Sequence, residues 1–503
     1  MRMDRRRFLK HLGAGAAALG LPRLGWGAEA PATPKRPNII FVLADDMGYG
    51  DLQCLNPASR IATPNLNKLA AGGMRFTDAH TGAAVCTPTR YGVVTGRYSW
   101  RGRLKRGVLG GYSPPLIERG RTTVASLLKA RGYATGVVGK WHLGLEYARQ
   151  GGPGGKIDAA KPLRVHPGTF GFDYSFVIPA SLDMPPYVYI EDGRIAEPPT
   201  ARQERRGFPG FIRAGERSAS FDPVKTLDVL LGKATAYVAR SAKADKPFFL
   251  YFAMTAPHKP VSPAKRFRGG SKRGPYGDFI TQVDWTVGQV VRAVEAAGAR
   301  ENTLLIVTSD NGSFMFRLKE GEADDHVTKP SIQGYKPSSH TSAYVFRGTK
   351  ADIYEGGHHV PYIASWPGRI RPGSTCDKTI CLTDLMATCA AVAGATLPDD
   401  AGEDSFSTLP LMLGRDWATP RAPVVHHSGN GTFAVREGKW KLILSDGSGG
   451  REKPSGRPFR KPYRLFDMHA DVGERNDLAA SQPQVVERLT RVLEDLRKRG
   501  RSR

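Results

Sequence analysis

Four apolar runs in this chain are each followed at once by polar residues of a particular kind. After 38–43 (NIIFVL) and Ala44 come Asp45 and Asp46. After 134–139 come Lys140 and His142. After 247–256 (PFFLYFAMTA) comes Pro257-His258, and after 303–309 (TLLIVTS) comes Asp310-Asn311. Asp45, Asp46, Asp310 and Asn311 are hard oxygen donors, a set that suits Ca²⁺ or Mg²⁺ rather than zinc. Lys140, His142 and His258 add cationic and acid–base groups. Cys86 precedes Thr87-Pro88-Thr89-Arg90, where a helix over 88–95 is expected. A residue at such a start feels free N–H groups and the positive dipole end, which favour an anion, and Arg90 adds charge one turn on. A single Asp or Asn after a strand is ordinarily a turn residue. Four such clusters together call for a common site.

The elements that must position them are legible in the same stretches. The apolar runs have strand length and no alternation, as strands buried on both faces do. Helical patterns fall at 64–71, 122–130, 223–240, 276–297 and 384–393, between the strands. This order predicts an α/β fold around a mostly parallel sheet. In such sheets the ligand site lies beyond the carboxyl ends of the strands, which is where all four clusters stand. From about 395 the texture changes to short strands at 422–427, 431–435 and 440–444, a hairpin around Glu437-Gly438, and a charged amphipathic helix over 481–498. The expected organisation is a domain over 31–395 and a smaller α+β subdomain with a basic tail over 396–503. Segments 149–171 and 313–340 read as long irregular loops.

Composition narrows the function classes. The 503 residues carry 73 Lys+Arg against 47 Asp+Glu, a net charge of +26, so a partner of opposite charge is indicated. With 40% hydrophobic residues the chain can bury a large core, and no run of 18 apolar residues exists for stable membrane insertion. No basic helix interleaved with aromatics appears, which argues against nucleic acid. Residues 1–30 hold six Lys/Arg and two acids, and Asp4-Arg5-Arg6-Arg7-Phe8-Leu9-Lys10 resembles a twin-arginine export signal. An exported, periplasmic location follows from that reading. The five cysteines make no C-x-x-C pair; Cys376 and Cys381 are either a disulfide or two buried thiols.

Cys86-Thr87-Pro88-Thr89-Arg90 followed by Thr95-Gly96-Arg97 resembles the C-x-P-x-R signature of the formylglycine-dependent sulfatases. The similarity extends to 43–48 (LADDMG), 139–144 (GKWHLG), 256–258 (APH), 309–312 (SDNG) and Lys350 through 355–357 (EGG), all in family order across roughly 38–445. Met47 and Thr349 are minor departures from the usual residues. The resemblance is to arylsulfatase-A-like enzymes of the alkaline-phosphatase-like superfamily, and it implies that superfamily's large mixed sheet flanked by helices.

The same resemblance implies a chemistry. Cys86 is converted to formylglycine (3-oxoalanine) by a maturase enzyme. One hydroxyl of its hydrate attacks sulfur, giving a sulfate on the enzyme, and the other drives sulfate out. Asp45, Asp46, Asp310, Asn311 and the modified Cys86 are the implied ligands of one Ca²⁺ ion, with Asp310 the implied acceptor of the attacking hydroxyl's proton. Arg90 orients the modified residue and Lys140 and Lys350 clamp the sulfate. His258 acts as acid toward the leaving group and His142 as base for elimination. The expected substrate is a sulfated carbohydrate, with aryl sulfates also cleaved. Trp100, Arg101, the segment 181–186 with Asp183, His340 and His427 are the candidates for contacting the leaving group. Two further readings stay open here: a phosphodiesterase or phosphonate hydrolase using the same formylglycine, and an inactive binder of sulfated glycan with Cys86 unmodified.

Overall fold

A computed structural model describes residues 36–151 and 154–503, and the expected export signal lies outside the described residues. Five parallel strands form the centre: β1 (Asn38–Asp45), β2 (Ala134–Lys140), β3 (Tyr174–Ile178), β4 (Phe248–Pro257) and β5 (Thr303–Ser309). Their spatial order is β5-β1-β4-β2-β3. Tyr362–Ser365 adds antiparallel to β5, and the short strands Met74–Phe76, Ser374–Cys376, Ile190–Glu191 and Arg194–Ile195 extend the edges to ten strands in all. The sheet is therefore large, mixed and mostly parallel.

β1 shows why an unbroken apolar run was required. Ile39, Phe41 and Leu43 enter one core and Ile40, Val42 and Ala44 the other, because successive side chains alternate across a sheet. The first core packs with helices Cys86–Thr95, Val124–Ala130 and Leu385–Val392. The second packs with Pro64–Ala71, Thr226–Ser241 and Gly274–Ala296. Helices thus cover both faces. Helix Val124–Ala130 begins where its Thr cap predicts, with Thr123 Oγ1 accepting from the Ser126 N–H at 3.0 Å. The signature helix begins at Cys86 itself, two residues before the expected start.

Register carries the strand ends to one line. Ala44 lies opposite Ser309, Asp45 opposite Pro257, and Gly139 opposite Ala253. Gly139 sits at φ 117° and a Cβ there would stand 1.8 Å from the Ala253 carbonyl oxygen, so only glycine lets β2 approach β4 at this end.

The C-terminal part forms an antiparallel sheet of Val424–His427, Phe433–Glu437, Trp440–Ile443 and Arg464–Asp467, the last not anticipated from sequence. Helix Pro483–Arg499 lays Leu489, Leu493 and Leu496 against it, and Tyr98 and Trp100 of the large domain join the same core. The 313–340 segment carries one short parallel pair, Phe316–Arg317 with Gly334–Tyr335. All five cysteines are unpaired, Cys376 and Cys381 among them. Among the described residues no helix is long and apolar enough to cross a membrane.

Candidate active site

The four strand ends meet around the first turn of helix Cys86–Thr95. Cys86 is 2% exposed and its Sγ lies 3.3 Å from Lys350 Nζ. Lys350 Nζ also donates to Asp46 Oδ1 and Oδ2 at 2.6 and 2.8 Å. Lys140 Nζ donates to both oxygens of Asp45 and, at 3.1 Å, to Ser181 Oγ. Arg90 donates through Nε to Asp310 Oδ2 at 2.9 Å and through Nη1 to the Lys140 carbonyl at 3.0 Å. Asp46 adopts φ 67°, a left-handed conformation that aims its carboxylate back toward β5, and its N–H donates to Asp310 Oδ1 at 3.2 Å.

Burial sets the electrostatics. It raises the Asp45 carboxyl to about 7, with Lys140 opposing. Asp310 ends below the usual carboxylate range: burial works against its charge, but Arg90 and Lys140 outweigh it. Burial also works against the charge of Lys350, and Asp46 together with neighbouring anions outweighs it and holds the ammonium above its ordinary value. Burial pushes the Cys86 thiol up, so an unmodified thiol here stays neutral and a poor nucleophile.

Asp45, Asp46, Cys86 and His258 each offer an atom within 4.8 Å of the others, and the Asn311 Oδ1 is buried with no hydrogen-bond partner. An orphaned carbonyl oxygen beside three buried carboxylates is what an oxygen-seeking divalent cation requires. The residues present therefore fit Ca²⁺. Three carboxylates face three cationic side chains, so a divalent ion leaves the pocket positive toward an anionic ester.

The two histidines are held in defined tautomers. A carbonyl only accepts, so His142 Nε2–H donates to Leu109 O at 2.8 Å and leaves a buried, unpartnered lone pair on Nδ1. His258 Nδ1–H donates to Lys259 O at 2.6 Å, which leaves Nε2 toward Asp46 Oδ2 at 3.6 Å. Burial lowers both imidazoles well below their ordinary value, Lys140 being the next cause for His142 and Lys350 for His258.

The residues singled out for the leaving group are not brought together. Asp183 lies beside His258, with Oδ1 3.9 Å from Nδ1, and pairs with Arg213. Trp100 and Arg101 instead lie under the C-terminal helix, where Arg101 pairs with Asp404 at 2.7 Å and donates to Leu496 O at 2.8 Å. His340 Nε2 is 2.8 Å from Asp51 Oδ1. His427 is buried in its strand, its N–H donating to Gly82 O at 3.1 Å. Sequence reasoning missed Lys259, which burial and then Arg451 lower to about 8. Its place directly after His258 at a strand end was the available signal.

Comparison with known proteins agrees with this geometry. The Sulfatase family profile matches residues 37–395. An N-acetylgalactosamine-6-O-sulfatase of Bacteroides thetaiotaomicron is 34% identical, covering 92% of this chain and 94% of its own. Arylsulfatase A of Homo sapiens is also 34% identical, over 92% of this chain and 88% of its own. A solved Bacteroides thetaiotaomicron structure from work on the metabolism of multiple glycosaminoglycans superposes with a TM-score of 0.80 at 32% identity, covering 92% of this chain and all of that one. The chain belongs to the sulfatase family, within the alkaline-phosphatase-like superfamily. It is a sulfuric ester hydrolase.

Proposed function

We propose that this sulfatase removes a sulfate monoester from a sulfated saccharide, using residue 86 as formylglycine and one Ca²⁺ ion. The observation that carries the reading is the convergence of Asp45, Asp46, Asp310, Asn311, Arg90, Lys140 and Lys350 on the buried Cys86. The formylglycine hydrate supplies two geminal hydroxyls, one to attack sulfur and one to expel sulfate. Bound Ca²⁺ polarises the sulfate and makes the attacking hydroxyl more acidic. Asp45, Asp46, Asp310 and Asn311 would hold the ion through oxygen.

The chain's own groups do the rest. Asp310, kept ionised by Arg90, takes the proton of the attacking hydroxyl. Lys140 and Lys350 turn from their carboxylates to the sulfate oxygens as negative charge grows there. His258 gives a proton from Nε2 to the leaving oxygen; the approach of an anionic ester favours that protonated form. His142 Nδ1, with its free lone pair, accepts a proton during elimination. Ser181, between Lys140 Nζ at 3.1 Å and the His258 ring at 3.2 Å, fixes their spacing.

The Bacteroides relative is named for the 6-O-sulfate of N-acetylgalactosamine. We extend that substrate class to this chain, and Asp183, beside His258, is the residue we assign to the sugar. Burial of Cys86 means that a maturase reaches it only before the chain folds. A twin-arginine route moves folded protein, so conversion precedes export to the periplasm. The test has two parts. Mass spectrometry of the Cys86 peptide should show an aldehyde, with oxygen in place of sulfur and two hydrogens lost. Rates on N-acetylgalactosamine 6-sulfate should exceed those on the 4-sulfate and on a matched phosphate diester. A faster phosphate diester, or an unmodified Cys86 in active protein, refutes the reading.

A further inference from the structure

A second buried polar cluster lies behind the turn that carries Cys86. It joins three segments distant in sequence. His80 ends the short strand Ala79–His80, His358 ends the short helix Glu355–His358, and His426 lies in strand Val424–His427 of the C-terminal sheet. All three imidazoles are fully buried, and one ring nitrogen of each lies within 4.8 Å of the other two.

The opposite edge of each ring meets an acceptor. His80 Nε2–H donates to Asp78 Oδ1 at 2.7 Å, His426 Nδ1–H donates to Thr81 O at 2.8 Å, and His358 Nε2 lies 3.1 Å from Ile353 O. Metal-binding histidines are held in this manner, one nitrogen anchored on a carboxylate or carbonyl so that the lone pair of the other points at the ion. The inner nitrogens, His80 Nδ1 and His358 Nδ1, are 3.1 Å apart. Two ligands of a tetrahedral zinc, with Zn–N of about 2.0–2.1 Å, stand at nearly that spacing.

A hydrogen-bonded chain without metal accounts for only part of the cluster. Lys441 Nζ, 2.9 Å from His358 Nε2, can donate there, and His358 Nδ1–H can then donate to His80 Nδ1. That arrangement leaves His426 Nε2 buried with no partner, although its ring stacks on His358 at 3.9 Å between centroids. A buried nitrogen left without a partner is unfavourable. A metal ion satisfies all three inner nitrogens once the His426 ring turns out of its stack on His358, because rings 12° from parallel do not both aim an in-plane lone pair at one ion.

We propose that His80, His358 and His426 form a binding site for zinc or a similar late first-row divalent ion, separate from the catalytic calcium. On binding, the His358 proton moves from Nδ1 to Nε2 and faces Ile353 O, while Lys441 keeps Glu355 and Glu474 at 2.9 and 2.7 Å. Asp78 and Glu355 supply negative charge beside the ion. Glu355 Oε2, 3.9 Å from His80 Nδ1, is the nearest carboxylate for a fourth position. The role is structural. The site ties the C-terminal sheet to the turn before Cys86, where Ala84 N–H donates to His427 O at 2.9 Å and Ala351 N–H donates to Ala84 O at 2.7 Å. Through those bonds it steadies both Cys86 and Lys350.

The test uses the full-length protein, stripped with chelator and then kept in excess Ca²⁺, titrated with Co²⁺ and with Zn²⁺. We expect one equivalent of Co²⁺ with the intense visible absorption of a four-coordinate ion, displaced by Zn²⁺. His426→Gln should abolish that spectrum, and Asp78→Asn should weaken binding about 10–100-fold. Asp310→Asn, in the other site, should leave it intact. X-ray absorption of the zinc-loaded wild-type protein should show three imidazole nitrogens. Absence of a cobalt spectrum in the wild-type protein, fewer than three imidazoles, or equal binding by His426→Gln overturns the proposal. Because the wild-type measurements stand alone, they decide even if a variant fails to fold.

Discussion

Lys140 Nζ lies 2.9 and 2.8 Å from the two oxygens of Asp45, and both side chains are fully buried. Burial disfavours the charge on Asp45, and Lys140 opposes that effect. A buried pair of this kind adds little net stability over an apolar pair, yet removing one member strands the other. The pairing also keeps a cation where the proposed mechanism places a sulfate oxygen.

Lys140→Ala should therefore cost both stability and turnover. In calcium-free buffer the loss in urea unfolding should approach about 3–5 kcal/mol, the range for breaking a buried pair. Added Ca²⁺ should return part of it by taking up the charge of Asp45. Turnover should fall about 100- to 1,000-fold, as for loss of one transition-state donor. Unchanged stability would mean that Asp45 is compensated in another way.

Calcium should stabilise the folded protein and be needed for turnover. At 100 times its dissociation constant the ion should add about 2.7 kcal/mol, read as a rise in Tm that chelator reverses. Asn311→Ala removes the orphaned Oδ1 and should weaken calcium binding measured by calorimetry. Equal affinity in the variant would take Asn311 out of the ligand set.

His258→Ala separates acid catalysis from binding. A sugar leaving group needs protonation and a nitrophenolate does not. Turnover of the sugar sulfate should fall about 100- to 10,000-fold, with nitrophenyl sulfate much less affected. Equal losses on both would assign His258 to positioning alone.

Arg101→Ala should act on folding and not on substrate. Its guanidinium is 3% exposed against an Asp404 carboxylate that is fully buried. Asp404 retains bonds from Tyr98 N–H at 2.9 Å and Ser502 Oγ at 2.6 Å, so the loss should lie near the lower end of about 3–5 kcal/mol. A raised KM with unchanged stability would return Arg101 to the substrate side.

His326 should contribute to acid sensitivity. Burial lowers its pKa, with the Ile332 carbonyl opposing; Nδ1–H donates to that carbonyl at 2.9 Å and Nε2 accepts from Tyr276 N–H at 3.1 Å. The unfolded chain therefore gains a proton before the folded one does. Stability from this group is fully present above the unfolded value of about 6.5 and declines as pH falls toward the depressed folded value, by at most about 1.4 kcal/mol per pH unit. His326→Gln should show a shallower decline in that window by urea unfolding. An identical slope would show that His326 does not titrate on folding.

The sequence by itself determined the strands, because NIIFVL and TLLIV can be buried only on both faces of a sheet, and it determined which residues follow them. It also marked Cys86 as the proposed nucleophile, since C-x-P-x-R is a local pattern. The metal-type chemistry was legible for the same reason: it depends on residue types at strand ends. What the tertiary structure decided was register and partner choice. Only the pairing of Asp45 with Pro257 and of Ala44 with Ser309 puts those strand ends on one line. Arg101 and His340 carry the charge and the ring expected of substrate contacts, yet Asp404 and Asp51 hold them, and neither acid is near them in sequence. The fourth C-terminal strand, Arg464–Asp467, was likewise set by Trp440–Ile443, against which it pairs. The His80–His358–His426 cluster left no mark in the sequence, because its members sit 278 and 68 positions apart and meet only where the C-terminal sheet closes on the catalytic layer. Local chemistry is written along the chain, whereas convergence depends on long-range packing that no short segment encodes.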